Sequence, residues 1–99
     1  MVKLNLHFSG GLELLFGNQK EYSVDVPHEP PSELKVGQLL VWTRDHLLTE
    51  RPELFMKDKT VRPGILVLVN DVDWELSGTL DSELVDGDNV VFISTLHGG

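Results

Sequence analysis

The hydrophobic period changes along the chain, and that change limits the fold more than any other feature. Before Pro30-Pro31 the apolar residues alternate, after it they fall at helical spacing, and beyond Pro63-Gly64 they come in short continuous runs. Val2, Leu4, Leu6 and Phe8 alternate with Lys3, Asn5 and His7, as expected of a strand with one buried face. Tyr22, Val24 and Val26 alternate again. The proline-rich residues 27–31 end that second strand, because proline has no N–H to give a ladder. With a turn at residues 17–19, the two strands predict an antiparallel hairpin. Leu12–Phe16 stays open: it extends the first strand past a bulge at residues 9–11 or forms a surface loop.

Val36, Leu39, Leu40, Thr43 and Leu47 then recur at helical spacing, with Gln38 and Asp45 opposite them. The spacing predicts one amphipathic helix over residues 35–48, with Ser32 as a candidate cap upstream and Trp42 on the flank of the stripe. Pro52 suits the start of a short helical turn, and Pro63-Gly64 suits a tight turn. Ile65–Val69 reads as a strand covered on both sides or nearly so. Asn70-Asp71 suits a turn into a short strand over residues 72–76. Residues 86–89 turn into an apolar run at residues 90–93, expected at the centre of the sheet. A single sheet with one helix across one face buries every stripe, so the class is α+β.

Ninety-nine residues, 40% hydrophobic and 24% charged, support one domain with a modest core. No apolar stretch approaches the roughly 20 residues of a membrane span. The alternating start lacks the apolar block of a secretory leader, and there is no cysteine, so a cytoplasmic location is expected. The formal charge is −8, with sixteen acidic residues against eight basic ones that read as dispersed. Phosphate backbones are bound largely through Lys and Arg, so no direct contact with nucleic acid is expected. Protein partners with basic docking surfaces fit better, and a monomer is the default.

No catalytic constellation stands out. Without cysteine there is no thiolate nucleophile and no Cys-bearing zinc site. His7, His28, His46 and His97 fall on different predicted elements. His46 is expected to be partly buried and hydrogen-bonded, His7 and His28 to lie on the surface. Asp71, Asp73 and Glu75 alternate as acids on the solvent side of a short strand would, without the glycine and later glutamate of a calcium loop. The glycines at residues 10–11 and 87 lack the helix and lysine of a phosphate cradle. Ser9, Ser82 and Ser94 have no marked base. The chain reads as no enzyme, with no metal site and no cofactor of its own.

The chain closes on Gly98 and Gly99. A carboxylate is a poor electrophile, so a partner must activate it, for example as an acyl adenylate, and thread the terminus into a cleft. Glycine suits threading because it has no Cβ and accepts backbone angles that other residues avoid. Residues 1–94 are expected to form the domain, and residues 95–99 a flexible tail projecting freely from it.

The order hairpin, helix, strands and Gly-Gly tail resembles the β-grasp fold of ubiquitin and of small bacterial sulfur carriers. More narrowly, ELLFGN, LLTERPELF, TVRPGILVLVNDVDWEL and DGDNVVFISTLHGG together resemble the eukaryotic ubiquitin-related modifier of the tRNA-thiolation pathway. The similarity runs from the first strand to the last residue and is weakest over residues 19–34.

That resemblance implies a ubiquitin-like mixed sheet of four to five strands with one main helix. It implies that an E1-like enzyme with a rhodanese domain uses ATP to adenylate the carboxylate of Gly99 and converts it to a thiocarboxylate. A tRNA-thiolating complex would use that sulfur to make 2-thiouridine at the wobble position of cytosolic tRNAs. The same terminus would be joined to lysines of target proteins. Gly98 and Gly99 match the family terminus, and Thr95, Leu96 and His97 match the leash that the activating enzyme would contact. Having no cysteine, the chain cannot hold sulfur as a persulfide, which agrees with attachment at the terminus. His97 stands where ubiquitin has arginine, which argues against the ubiquitin-activating machinery. Docking is expected on the exposed sheet face near the tail, with Leu96 and with Leu12 or Phe16 as a further apolar contributor, unless Phe16 belongs to the core. Two alternatives share the fold: a non-conjugating interaction module and a carrier of the molybdopterin-synthase type.

Overall fold

The computed structural model describes residues 1–95. Val2–Ser9 (β1) and Glu21–Val26 (β2) form the expected antiparallel hairpin, with Leu4 opposite Val24 and Leu6 opposite Tyr22. Leu34–Lys35 (β3) leads into the helix Val36–His46 (α1). Met56–Lys57 (β4) and Thr60–Val61 (β5) make a small hairpin of their own. Ile65–Val69 (β6) and Val72–Asp73 (β7) follow. Glu83–Leu84 (β8) pairs with β3, and Asp88–Ser94 (β9) is the last strand among the described residues. The main sheet runs β2-β1-β9-β6-β7, with β9 parallel to β1 and antiparallel to β6. Its apolar run therefore sits at the centre, as its composition predicts.

The helix lies across one face and buries Val36, Leu39, Leu40 and Thr43, the stripe read from the sequence. Beneath it are Leu4, Leu6, Phe8, Val67, Val90 and Phe92, each at most 1% exposed. Phe8 stacks on Phe16 at 3.9 Å between ring centroids and on Phe92 at 5.3 Å, and Phe55 meets Phe16 edge-on. Among the described residues no helix is long and apolar enough to cross a membrane.

Four expectations need correction. Leu12–Phe16 is neither strand nor surface loop but a 3-10 turn that buries Leu12, Leu15 and Phe16. Gly11 (φ 96) and Gly17 (φ 69) bracket it in left-handed backbone, which folds the turn inward against the aromatic core. Leu14 alone of its leucines is exposed, at 58%. Second, the helix starts at Val36, within one residue of the expected start, but its cap is Lys35 and not Ser32: the Lys35 N–H donates to Gln38 Oε1 at 2.8 Å. It ends at His46, where the N–H groups of both Leu47 and Leu48 converge on the Thr43 carbonyl and unwind the last turn. Third, β7 stops at Asp73, because the Asp73 carboxylate accepts the Glu75 N–H and starts a 3-10 turn that buries Trp74. Finally, His46 is exposed and stacks on Trp42 at 4.9 Å instead of being buried in a hydrogen bond.

Candidate functional site

The central strand leads toward the chain terminus. Its last residues are held on both flanks. Ser94 lies opposite Ile65 on β6, and the Gly10 backbone approaches it so closely that a Cβ on Gly10 would sit 2.2 Å from the Ser94 carbonyl oxygen. Gly10 also has φ 72, so backbone conformation and space both require glycine there. Thr95 then donates its N–H (2.8 Å) and its hydroxyl (2.5 Å) to the Gly64 carbonyl. Thr95, which was expected to project freely, is instead tied back to the Pro63-Gly64 turn. Leu96, His97, Gly98 and Gly99, the remaining tail residues singled out in the sequence, lie outside the described residues.

Beside this anchorage the sheet turns its open face to solvent. Alternation puts Leu66, Leu68, Val91 and Ile93 opposite the buried Val67, Val90 and Phe92, and the register sets Leu66 against Ile93 and Leu68 against Val91. All four are half-buried. Across β9, Ser9 lies opposite Ile93 and His7 opposite Val91. The rim is acidic. Glu21 stands 3.5 Å from His7 Nδ1, and Asp73 pairs with Leu68 at the other edge.

An open sheet face near the tail is present, but Leu12 and Phe16 are not on it. Leu12 (3% exposed) and Phe16 (0%) belong to the core and offer no docking patch, because the two flanking glycines turn them under the sheet. The four open-face residues went unnoticed in the sequence. Their signal was there: a strand that is apolar on both faces, in a fold with one helix, must expose one of them.

The basic residues are not dispersed either. Arg51, Lys57, Lys59 and Arg62 lie on one segment, leading from a 3-10 turn at Pro52–Leu54 through the β4–β5 hairpin. Glu53 lies within this segment, 3.3 Å from Arg51. Its carboxyl is held below the usual carboxylate range first by a backbone N–H, then by Arg51, with Arg62 adding its charge. Among the described residues no three His, Cys, Asp or Glu side chains come together as metal ligands.

Residues 3–99 match the family model described as Urm1 (Ubiquitin related modifier). A ubiquitin-related modifier 1 homolog of Chlamydomonas reinhardtii is 66% identical over the full length of both chains. Ubiquitin-related modifier 1 of Gallus gallus is 57% identical, covering 99% of this chain and 96% of that one. The solution structure of Urm1 from Trypanosoma brucei superimposes with a TM-score of 0.82 at 42% identity, over 98% of this chain and 95% of that one. The mixed five-stranded sheet with one helix is accordingly the β-grasp arrangement of ubiquitin-like proteins, a group of modifiers and not of enzymes. The chain belongs to the Urm1 family of ubiquitin-related modifiers.

Proposed function

We propose that this protein is a modifier and sulfur carrier whose reactive group is the carboxylate of Gly99. In this reading an E1-like enzyme with a rhodanese domain adenylates that carboxylate with ATP and converts it to a thiocarboxylate. A tRNA-thiolating complex in the cytoplasm draws on the sulfur for 2-thiolation of wobble uridine, and the activated terminus is also joined to lysines of target proteins. Thr95, Leu96, His97 and Gly98 are the residues the activating enzyme grips on the way to Gly99.

The observation that supports this reading best is the family match itself, which extends through the last residue. The chemistry agrees with it. There is no cysteine to hold sulfur, so a carrier of this sequence depends on its carboxylate. The body of the domain supplies a rigid base and a handle: Gly64 and Gly10 fix the root of the tail, and Leu66, Leu68, Val91 and Ile93 give the activating enzyme an apolar surface beside it.

Deleting Gly99 tests the assignment. The truncated chain, incubated with ATP, the activating enzyme and a sulfur donor, should gain no sulfur while its thermal melt stays nearly unchanged. Sulfur uptake by the truncated chain would overturn the proposal. Absence of uptake by the intact chain would favour the non-conjugating module instead.

A further inference from the structure

The charge of this molecule is divided unevenly, and the division coincides with the root of the tail. Residues 51–62 hold four of the eight basic residues and two of the sixteen acidic ones, a local charge of +2 in a chain of −8. Lys57 and Lys59 flank Asp58 at the tip of the β4–β5 hairpin, exposed and in no ion pair among the described residues. Arg51 is paired with Glu53 at 3.3 Å. Arg62 sits at the junction: its N–H donates to the Phe55 carbonyl, and its own carbonyl accepts from Ile65, the residue paired with Ser94. Two residues after Arg62, Gly64 holds Thr95. Arg62 and the hairpin before it are thus joined directly to the turn that holds Thr95.

We infer that Lys57, Lys59 and Arg62 form a docking surface for a carboxylate-rich patch on the activating enzyme, placed beside the cleft that receives the tail. This rests on the functional reading above and adds the chemistry of the partner. Protein carboxylates fit better than phosphates. A nucleic-acid strand extends well beyond three cations and would meet the acidic remainder of the chain, whereas a protein patch is satisfied locally.

The test is the charge-reversed chain Lys57→Glu/Lys59→Glu/Arg62→Glu, with Lys57→Glu/Lys59→Glu beside it because both lysines are exposed and their reversal leaves the core untouched. Steady-state kinetics of thiocarboxylate formation are measured at low and physiological salt, with melting curves as the control for folding. KM should rise about tenfold at low salt, kcat should stay within about twofold, and the wild type's salt dependence should flatten in the variant. Lys57→Arg/Lys59→Arg should behave as wild type. An unchanged KM in a folded variant overturns this inference while leaving the carrier reading intact. No sulfur gain by the wild type overturns the reading and the inference with it. Binding of a mixed tRNA pool that the reversal abolishes overturns the choice of a protein partner.

Discussion

The two faces of the strands β6 and β9 start from similar side chains and end in different surroundings. On the inner face Val67, Val90 and Phe92 are fully buried under α1. On the outer face Leu66, Leu68, Val91 and Ile93, no less apolar, stay partly in water. Nothing in their chemistry separates the two sets. What separates them is coverage, because one helix of eleven residues can shield one side of a five-stranded sheet and not the other. Residues retained on an uncovered face at a cost in solvation are the ones available to a partner. On the hairpin side the chain shows the alternative, with Asn5, Ser23 and Asp25 outward and Leu4, Val24 and Val26 inward.

Substitutions on the two faces should separate stability from docking. Phe92→Ala removes a ring packed against Phe8 and Phe55 and should cost about 3–5 kcal/mol in denaturant unfolding. A loss below about 1 kcal/mol would mean that the inner face is not the core it looks like. Gly10→Ala, at the end where the strand leaves the sheet, meets both the Ser94 carbonyl and an unfavourable φ, and should cost roughly 2 kcal/mol. If it melted as the wild type does, the root of the tail would be looser than the geometry shows. Leu68→Ser on the outer face should cost no more than about 1 kcal/mol, yet raise the KM of activation severalfold. Equal effects on melt and KM would erase the distinction between the faces.

The smallest effect concerns Glu53. Its carboxyl is lowered from 4.5 by its backbone N–H and then by the two arginines, so it is ionised in the folded chain at pH values where the unfolded chain already protonates it. Its contribution to folding is therefore present above the ordinary carboxylate range and lost as pH falls through the lowered value. The group is fully exposed, and the effect on stability is correspondingly slight. Carboxyl NMR should show Glu53 titrating below 4.5 and moving upward in Arg51→Gln. A titration at or above 4.5 would remove the support it gives to a folded basic segment.

Periodicity revealed most of the frame. The hairpin, the helix stripe, the central last strand and the turns at Asn70-Asp71 and Pro63-Gly64 follow from spacing and from proline and glycine chemistry. Leu12–Phe16 was hidden because five residues are too few to distinguish a strand from a 3-10 turn, and the glycines that decide the matter act through φ, not through hydrophobic pattern. Asp73 ended its strand by a local side-chain bond that competes with the ladder, a contest that alternation cannot register. Leu12 and Phe16 were placed on the surface for a different reason. An ambiguous loop looked like surface, whereas exposure depended on how much sheet the single helix covers. The basic segment was masked by the overall charge, which averages over a molecule whose signs are unevenly distributed.

The central claim is that a backbone carboxyl at Gly99 is the reactive group and that the domain serves to present it. The most direct measurement is the mass of the C-terminal peptide from protein isolated from its own cells under non-reducing, rapidly quenched conditions. The account predicts a fraction of that peptide in which one carboxyl oxygen is replaced by sulfur. It also predicts a second fraction in which Gly99 is joined to lysine in another polypeptide. A terminus recovered wholly as free carboxylate, with sulfur found on some other residue or nowhere, would contradict it.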